Sequence, residues 1–304
     1  MTEVVRAGVW TLEQRAVQVY REVPVPLPGG HRRLTVRLEY DRGAGVLDLG
    51  CLDPAGGFRG WSGGARDTFT VAEAWATPGY LPGPVPPGDW RVLLGLHRVP
   101  RDGLPWRLTV HTGPDAQPAP GGTAPGHPAG WPDRPVRREL PAPPGYRWLA
   151  GDLHTHTVHS DGVLTVAELA RLAAGSGLDL LAVTDHNTVS HHAELAAESA
   201  GACAAGLVLV PGQEVTTARG HANAFGDTGW IDFRRPAADW LSTVEQHGGL
   251  LSINHPLAAD FAWLHALPAR PAGQASPAGK ANPAGQTGPA GQTGPAGPSR
   301  REGA

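Results

Sequence analysis

Two histidines one residue apart, His154 and His156, close a short apolar run in Leu149-Ala-Gly-Asp-Leu-His-Thr-His-Thr-Val-His-Ser-Asp-Gly162. In an extended strand, residues i and i+2 leave the same face. The two imidazoles therefore point together, as two ligands of one cation would. Asp161 follows in a Ser-Asp-Gly turn that can fold a carboxylate back toward them. Three further apolar runs end in the same kind of residue. Residues 178–183 lead into Thr184-Asp185-His186-Asn187, 207–210 into Gln213-Glu214, and 250–253 into Asn254-His255-Pro256. His221, in Gly220-His-Ala-Asn-Ala-Phe-Gly226, can add a ligand from a short following strand. Imidazole and carboxylate without thiolate suit divalent zinc, manganese or iron.

Other residues near these runs have plainer readings. Asp185 is either a ligand or the group that orients His186. His159 either meets a substrate anion or belongs to a surface loop. Arg219, beside the rim, is a candidate phosphate-binding residue. His191 and His192 fall in a first helical turn and are expected in solvent, and His247 should interact with a helix C-terminus.

For these side chains to meet, the runs must be neighbouring strands. Between residues 146 and 267, strand-like and helix-like stretches alternate, which predicts a parallel sheet covered by helices. In such sheets the carboxyl ends of the strands lie along one edge, where sites form. Thr165 and Glu168 have capping-box spacing for a first helix. Ser190 is expected to cap a second helix, and Pro236 to open a third that stops at Gly248-Gly249.

Residues 1–112 read differently. Short alternating stretches at 34–40, 46–50, 67–71, 90–94 and 106–110 are separated by Gly/Pro/Asp turns, the pattern of a β-sandwich-like domain. Residues 113–145 are dense in proline and glycine and read as a disordered or extended linker. From 268 to 304 a Pro-Ala-Gly motif recurs every six residues, a low-complexity tail expected to be disordered.

The chain has 304 residues, room for about two domains. A net charge of −3 gives no general attraction to nucleic acid or membranes. The two cysteines, Cys51 and Cys203, stand apart and form no framework, so a reducing compartment is expected. No apolar run is long enough to span a bilayer, and no signal peptide is evident. A cytoplasmic location is the expectation.

Taken together, His-Thr-His…Ser-Asp-Gly, Thr-Asp-His-Asn, Glu214…Gly-His221 and Asn-His255-Pro resemble the PHP (polymerase and histidinol phosphatase) domain. The stretches Phe58-Arg-Gly-Trp-Ser-Gly-Gly-Ala65 and Pro78-Gly-Tyr-Leu-Pro-Gly83 resemble the N-terminal part of its CehA/McbA-like branch of metallohydrolases. The resemblance covers residues 1 to about 267. It implies a distorted (β/α)7 barrel holding two or three divalent metal ions, and phosphoester hydrolysis by a metal-activated hydroxide. His154, His156 and Glu214 would hold one metal, with Glu214 bridging to a second held by His221 and His255. Asp161 and His186 would hold a third. His154, His156, Glu214 and His255 are the implied catalytic set, and a small phosphoester or nucleotide the implied substrate.

The family's late Asp-x-His pair has no counterpart after His255. Only about four major strands precede the tail. An incomplete, truncated PHP-type barrel is therefore expected, with full activity only if another chain completes it. Two other readings stay open: hydrolysis of a carboxyl or carbamate ester on the same metals, and an impaired homologue acting as a binding module.

Overall fold

The alternating stretch at 34–40 forms a strand whose Leu34, Val36 and Leu38 point into a core and whose intervening residues face outward. The computed structural model describes residues 3–114, 130–136 and 140–266, all of them in the first of two compact units, which spans residues 1–267. The low-complexity tail lies outside the described residues.

The first part of the chain contains β1 (Glu3–Trp10), α1 (Leu12–Val17), β2 (Tyr20–Leu27), β3 (Arg33–Tyr40), β4 (Val46–Leu52), β5 (Phe58–Gly63), β6 (Thr68–Ala72), β7 (Gly88–Arg98) and β8 (Leu104–Gly113). They pair into two four-stranded sheets, β1-β8-β3-β6 and β2-β7-β4-β5, with antiparallel neighbours throughout. Their inner faces enclose Val25, Val36, Leu47, Leu49, Phe69, Val71 and Trp90. Each of the five expected strands is present. β1, β2 and β5 were not foreseen. In β2 the run Val23-Pro-Val-Pro-Leu27 hides the pattern behind prolines. It sits at the sheet's edge, where a strand tolerates a residue that donates nothing.

The second part contains β9 (Gly151–Thr155), α2 (Val166–Gly175), β10 (Leu180–Val183), α3 (His192–Ala204), β11 (Val208–Thr217), β12 (Gly220–Phe225), α4 (Ala237–Gln246) and β13 (Leu250–Ile253). One five-stranded sheet has the order β13-β12-β11-β10-β9. β9, β10 and β11 are parallel, as expected. β12 and β13 correct the all-parallel expectation, because each is antiparallel to its neighbour. Two reversals restore the direction, so β13 runs with β9, β10 and β11. The carboxyl ends of these four strands therefore share one edge despite the mixed topology. β11 also does not stop at Glu214. It continues to Thr217 and turns back into β12, because past Gly212 its partner changes from β10 to β12. A Cβ at Gly212 would crowd the carbonyl of Ala224 and the methyl of Thr184.

Helices α2 and α3 cover one face through Val166, Ala170, Leu195 and Ala202 against Leu181 and Val183. Thr165 and Glu168 close the expected capping box on α2. The cap expected from Ser190 is absent: α3 starts at His192 with no side-chain cap, and the Ser190 hydroxyl is engaged elsewhere. The described linker piece 130–136 contains no helix or strand. Arg134 ties it to the carbonyls of Gly177, Leu178 and Gly206 and to Asp179.

On the other side, Leu52, Trp61 and Leu93 of the sandwich pack with Val215, Ala224, Phe233 and Trp240 in one cluster. β7 is thus buried on both faces. At roughly 25 cal/mol per Å2 of apolar surface removed from water, such burial is the main force joining the two parts. Among the described residues no helix is long and apolar enough to cross a membrane.

Candidate metal centre

Glu214 lies inside β11, and its register partner on β12 is Asn223, with Thr216 opposite His221. Side chains of i and i+2, and of directly opposed residues, share a face of an antiparallel pair. Glu214, Thr216, His221 and Asn223 therefore project together. His154 and His156 come from the end of β9, His186 from beyond β10, and His255 from beyond β13.

The result is a ring of five imidazoles around one carboxylate whose side chain is 1% exposed. Against Oε1 stand His154 Nε2 at 3.2 Å, His221 Nδ1 at 3.2 Å and His255 Nε2 at 3.5 Å. Against Oε2 stand His186 Nδ1 at 2.8 Å and His156 Nε2 at 3.5 Å. Asn254 Nδ2 donates to Oε1 at 2.8 Å and to Asn223 Oδ1 at 2.7 Å. The Thr216 hydroxyl lies 2.6 Å from His186 Nδ1. The sequence pointed to neither Asn254 nor Thr216, since an amide and a hydroxyl carry no ligand signature.

Burial alone would raise the Glu214 carboxyl. Hydrogen bonds from His154, His186 and His221 overcome it and hold the group far below the usual carboxylate range. Burial and neighbouring His186 keep the His156 pKa low. In His186 the pull of burial is outweighed by Glu214, and its pKa rises.

The donor set fits a divalent cation. Glu214 Oε2 is buried with the ring nitrogens of His186 and His156 beside it, and His156 Nδ1 is buried without a hydrogen-bond partner among the described residues. A neutral imidazole keeps one lone-pair nitrogen, and several of these converge on an ionised carboxylate in a small volume. Three ligand sets have mutual spacings that one ion could bridge: His154, His156 and Glu214; His156, Asp161 and His186; His186, Glu214 and His221. His255 joins no such set but reaches Glu214 directly. Asp161 stands at the lip, 3.9 Å from His156 and 3.7 Å from His186.

His255 and Asn187 hold backbone φ of 26° and 54°, left-handed values that non-glycine residues rarely adopt. Such strain gathers at functional sites. Gly162 serves the same geometry, because a Cβ there would overlap the His156 carbonyl. Gly162→Ala is expected to push the Asp161 turn off His156 and weaken metal binding by about 10–100-fold. Titration with a competing chelator would measure it, and unchanged affinity would refute that role.

Asp185 is fully buried and lies outside the three ligand sets. It accepts from Thr157 N at 2.7 Å, Thr157 Oγ1 at 2.6 Å and Ser160 Oγ at 2.6 Å, and so fixes the loop after His156. His191 corrects a sequence expectation. It is fully buried, 3.2 Å from Asp185, and its Nε2 serves the carbonyls of Val183 and Gly212. His192 Nε2 likewise lies 3.0 Å from the Gly212 carbonyl oxygen. Backbone carbonyls at the end of β10 and within β11 satisfy these rings, which is why they leave solvent. His247, by contrast, is exposed and meets the Thr243 carbonyl at 2.8 Å, at the helix end as expected.

The two residues considered for substrate lie apart from the ring. His159 is 4% exposed, with Nδ1 2.7 Å from the Ser190 hydroxyl and Nε2 3.0 Å from Glu194. Arg219 donates to the Leu264 carbonyl and lines a neighbouring cavity with Arg235 and His265.

The sandwich meets the centre through the two stretches singled out in the sequence. Gly79 N donates to Ser190 Oγ at 3.0 Å, Gly79 O accepts from Thr188 at 2.9 Å, and Arg66 donates to the Val158 carbonyl. A Cβ at Gly79 would crowd the His159 carbonyl. Phe58 stacks on Trp230, whose Nε1 donates to the carbonyl of Asn187. Between the two parts lies a cavity of about 410 Å3, lined by Asp161, His186 and His221 from one part and by Tyr20, Asp48 and Trp61 from the other.

No family model matches the chain. Over 68 residues it is 40% identical to a 5'-3' exoribonuclease of Haemophilus influenzae, a stretch covering 22% of this chain and 23% of that protein. Over 66 residues it is 41% identical to the 5'-3' exoribonuclease Rnm of Escherichia coli, covering 22% of each. The chain thus matches less than a quarter of the length of these curated relatives. Among solved structures it is similar to a two-domain protein from Bacteroides vulgatus containing a predicted PHP-like metal-dependent phosphoesterase. That match has 26% identity and a TM-score of 0.34, over 42% of this chain and 41% of the other.

Proposed function

We propose that this chain is a metal-dependent hydrolase of the PHP type, in the CehA/McbA-like branch, acting on a small phosphoester or nucleotide. In this reading the five-stranded sheet is an incomplete form of the distorted (β/α)7 barrel. The observation that carries the proposal is buried, ionised Glu214 with imidazole nitrogens from four chain segments 2.8–3.5 Å away. The partial identity to two exoribonucleases supports a phosphoester substrate.

His154, His156 and Glu214 would hold one cation, of zinc, manganese or iron. His186, Glu214 and His221 would hold a second, with His255 beside them, and His156, Asp161 and His186 a third. Such a cation lowers the pKa of bound water and neutralises charge on phosphoryl oxygens. The chain's own contribution is orientation. Asn254 holds Oε1 of Glu214, Thr216 holds the His186 ring, and the cavity walls limit water.

Metal analysis of the purified chain, with turnover of bis-p-nitrophenyl phosphate, tests the reading. Metal should co-purify or bind at micromolar concentration. Its removal by chelator should abolish turnover and lower Tm by roughly 5–10 °C when metal stands about a hundredfold above its Kd. Absence of both metal binding and hydrolysis would overturn the proposal.

A further inference from the structure

The carboxylate of Asp48 is the unexplained group of the shared cavity. It comes from β4 of the sandwich, far in sequence from every ligand, and lines the same cavity as Asp161, His186 and His221. Among the described residues its side chain makes no hydrogen bond or ion pair. Its spacing places it in none of the three ligand sets. Asp48 is half-buried, and desolvation pushes its carboxyl up to about 7 against the opposing pull of His186. The sandwich nonetheless makes room for it. Gly95 is its cross-strand partner on β7, and a Cβ there would overlap the Asp48 carboxyl. Next to it, the rings of Tyr20 and Trp61 meet edge to face at 6.1 Å and line the same cavity.

A free acceptor beside aromatic rings, opposite a centre suited to phosphate, matches a ligand with three features. It has a phosphoryl group for the metal, a flat ring for the aromatic wall, and an N–H donor for the carboxylate. A cavity of about 410 Å3 lies within the usual range for such small molecules. We propose that Asp48 is a substrate-contacting residue that selects aromatic phosphoesters bearing an N–H donor on the ring, so that the sandwich sets specificity for the metal centre. This deepens the phosphoesterase reading and rests on it.

The test uses the full chain loaded with metal and two non-hydrolysable probes, para-aminobenzylphosphonate and benzylphosphonate, titrated by calorimetry. At about pH 8.5, where Asp48 is ionised, native protein should bind the amino compound at least about tenfold more tightly, the value of a hydrogen bond to a charged acceptor. In Asp48→Asn and Asp48→Ala that ratio should fall to near one, with metal content equal to that of the native chain. Equal affinity of the native chain for the two probes, or a ratio retained in both variants, would overturn the role of Asp48 and leave the phosphoesterase reading standing. Loss of metal from both variants would make Asp48 a ligand and overturn the proposal as well. If neither phosphonate binds the metal-loaded chain, the phosphoesterase reading itself fails and this inference falls with it.

Discussion

Glu214→Gln is expected to weaken metal binding by more than about 100-fold, beyond the loss typical of residues that only orient a ligand. Glu214 is the one carboxylate inside the ring, and it belongs to two of the three ligand sets. An amide keeps the shape but loses the negative charge and turns an N–H₂ toward imidazoles that already offer donors. The same centre fixes a sign for pH. Metal binds the deprotonated imidazole, so protons compete with it. Glu214 raises the pKa of His186, which therefore holds its proton to higher pH than a free histidine. Metal affinity should thus fall as pH drops from 8 to 6, approaching tenfold per pH unit for each proton displaced. In Glu214→Gln the His186 pKa should return toward its ordinary value, and the remaining weak binding should lose its pH dependence at a lower pH. Chelator competition across that range measures both. A native profile flat between pH 6 and 8 would show that metal displaces no proton from His186.

Part of this cluster was legible because His154, His156, His186 and His255 stand at the ends of apolar strands, which share an edge, whereas Glu214 and His221 lie inside β11 and β12. His154, His156, His186, Glu214, His221 and His255 were marked by residue type and position, and the structure gathers the five histidines around the Glu214 carboxylate. The antiparallel return through β12 was not legible, because the short stretch Gly220–Phe225 carries no sign of direction. Nor were His191 and Asp185. A histidine in a first helical turn looks solvated until the carbonyls of Val183 and Gly212 are seen to hold it. Asp48 was hidden for a different reason. It lies in a strand of the sandwich, more than a hundred residues from the first ligand, and only the docking of Gly79 and Trp61 brings it to the cavity. Local pattern reports which residues face a core. It does not report which two cores share a wall.

Asp185→Ala should be the most damaging single change to stability, lowering it by about 3–5 kcal/mol in the metal-free chain, the usual cost of removing one partner from a buried charged network. Three groups lose their acceptor at once: the Thr157 amide and the Thr157 and Ser160 hydroxyls. Asp185→Asn keeps one acceptor oxygen and should lose less, about 1–3 kcal/mol. The direction with pH follows from the carboxyl itself. Burial would raise its pKa, but His191 and the bonds from Ser160 and Thr157 more than offset that and lower it. A depressed carboxylate contributes its stability in full above the unfolded pKa of about 3.9 and loses it as pH falls through the folded value. The gap between native and Asp185→Asn chains should therefore be constant from pH 8 to 5 and close below about pH 4. Urea denaturation at several pH values would measure this, and a gap that widened in acid would mean the carboxyl is protonated in the native state. Because the same bonds fix the loop that follows His156, Asp185→Asn should also weaken metal binding at temperatures where the chain is fully folded. Asp185 thus links the stability of the fold to the placement of the metal ligands.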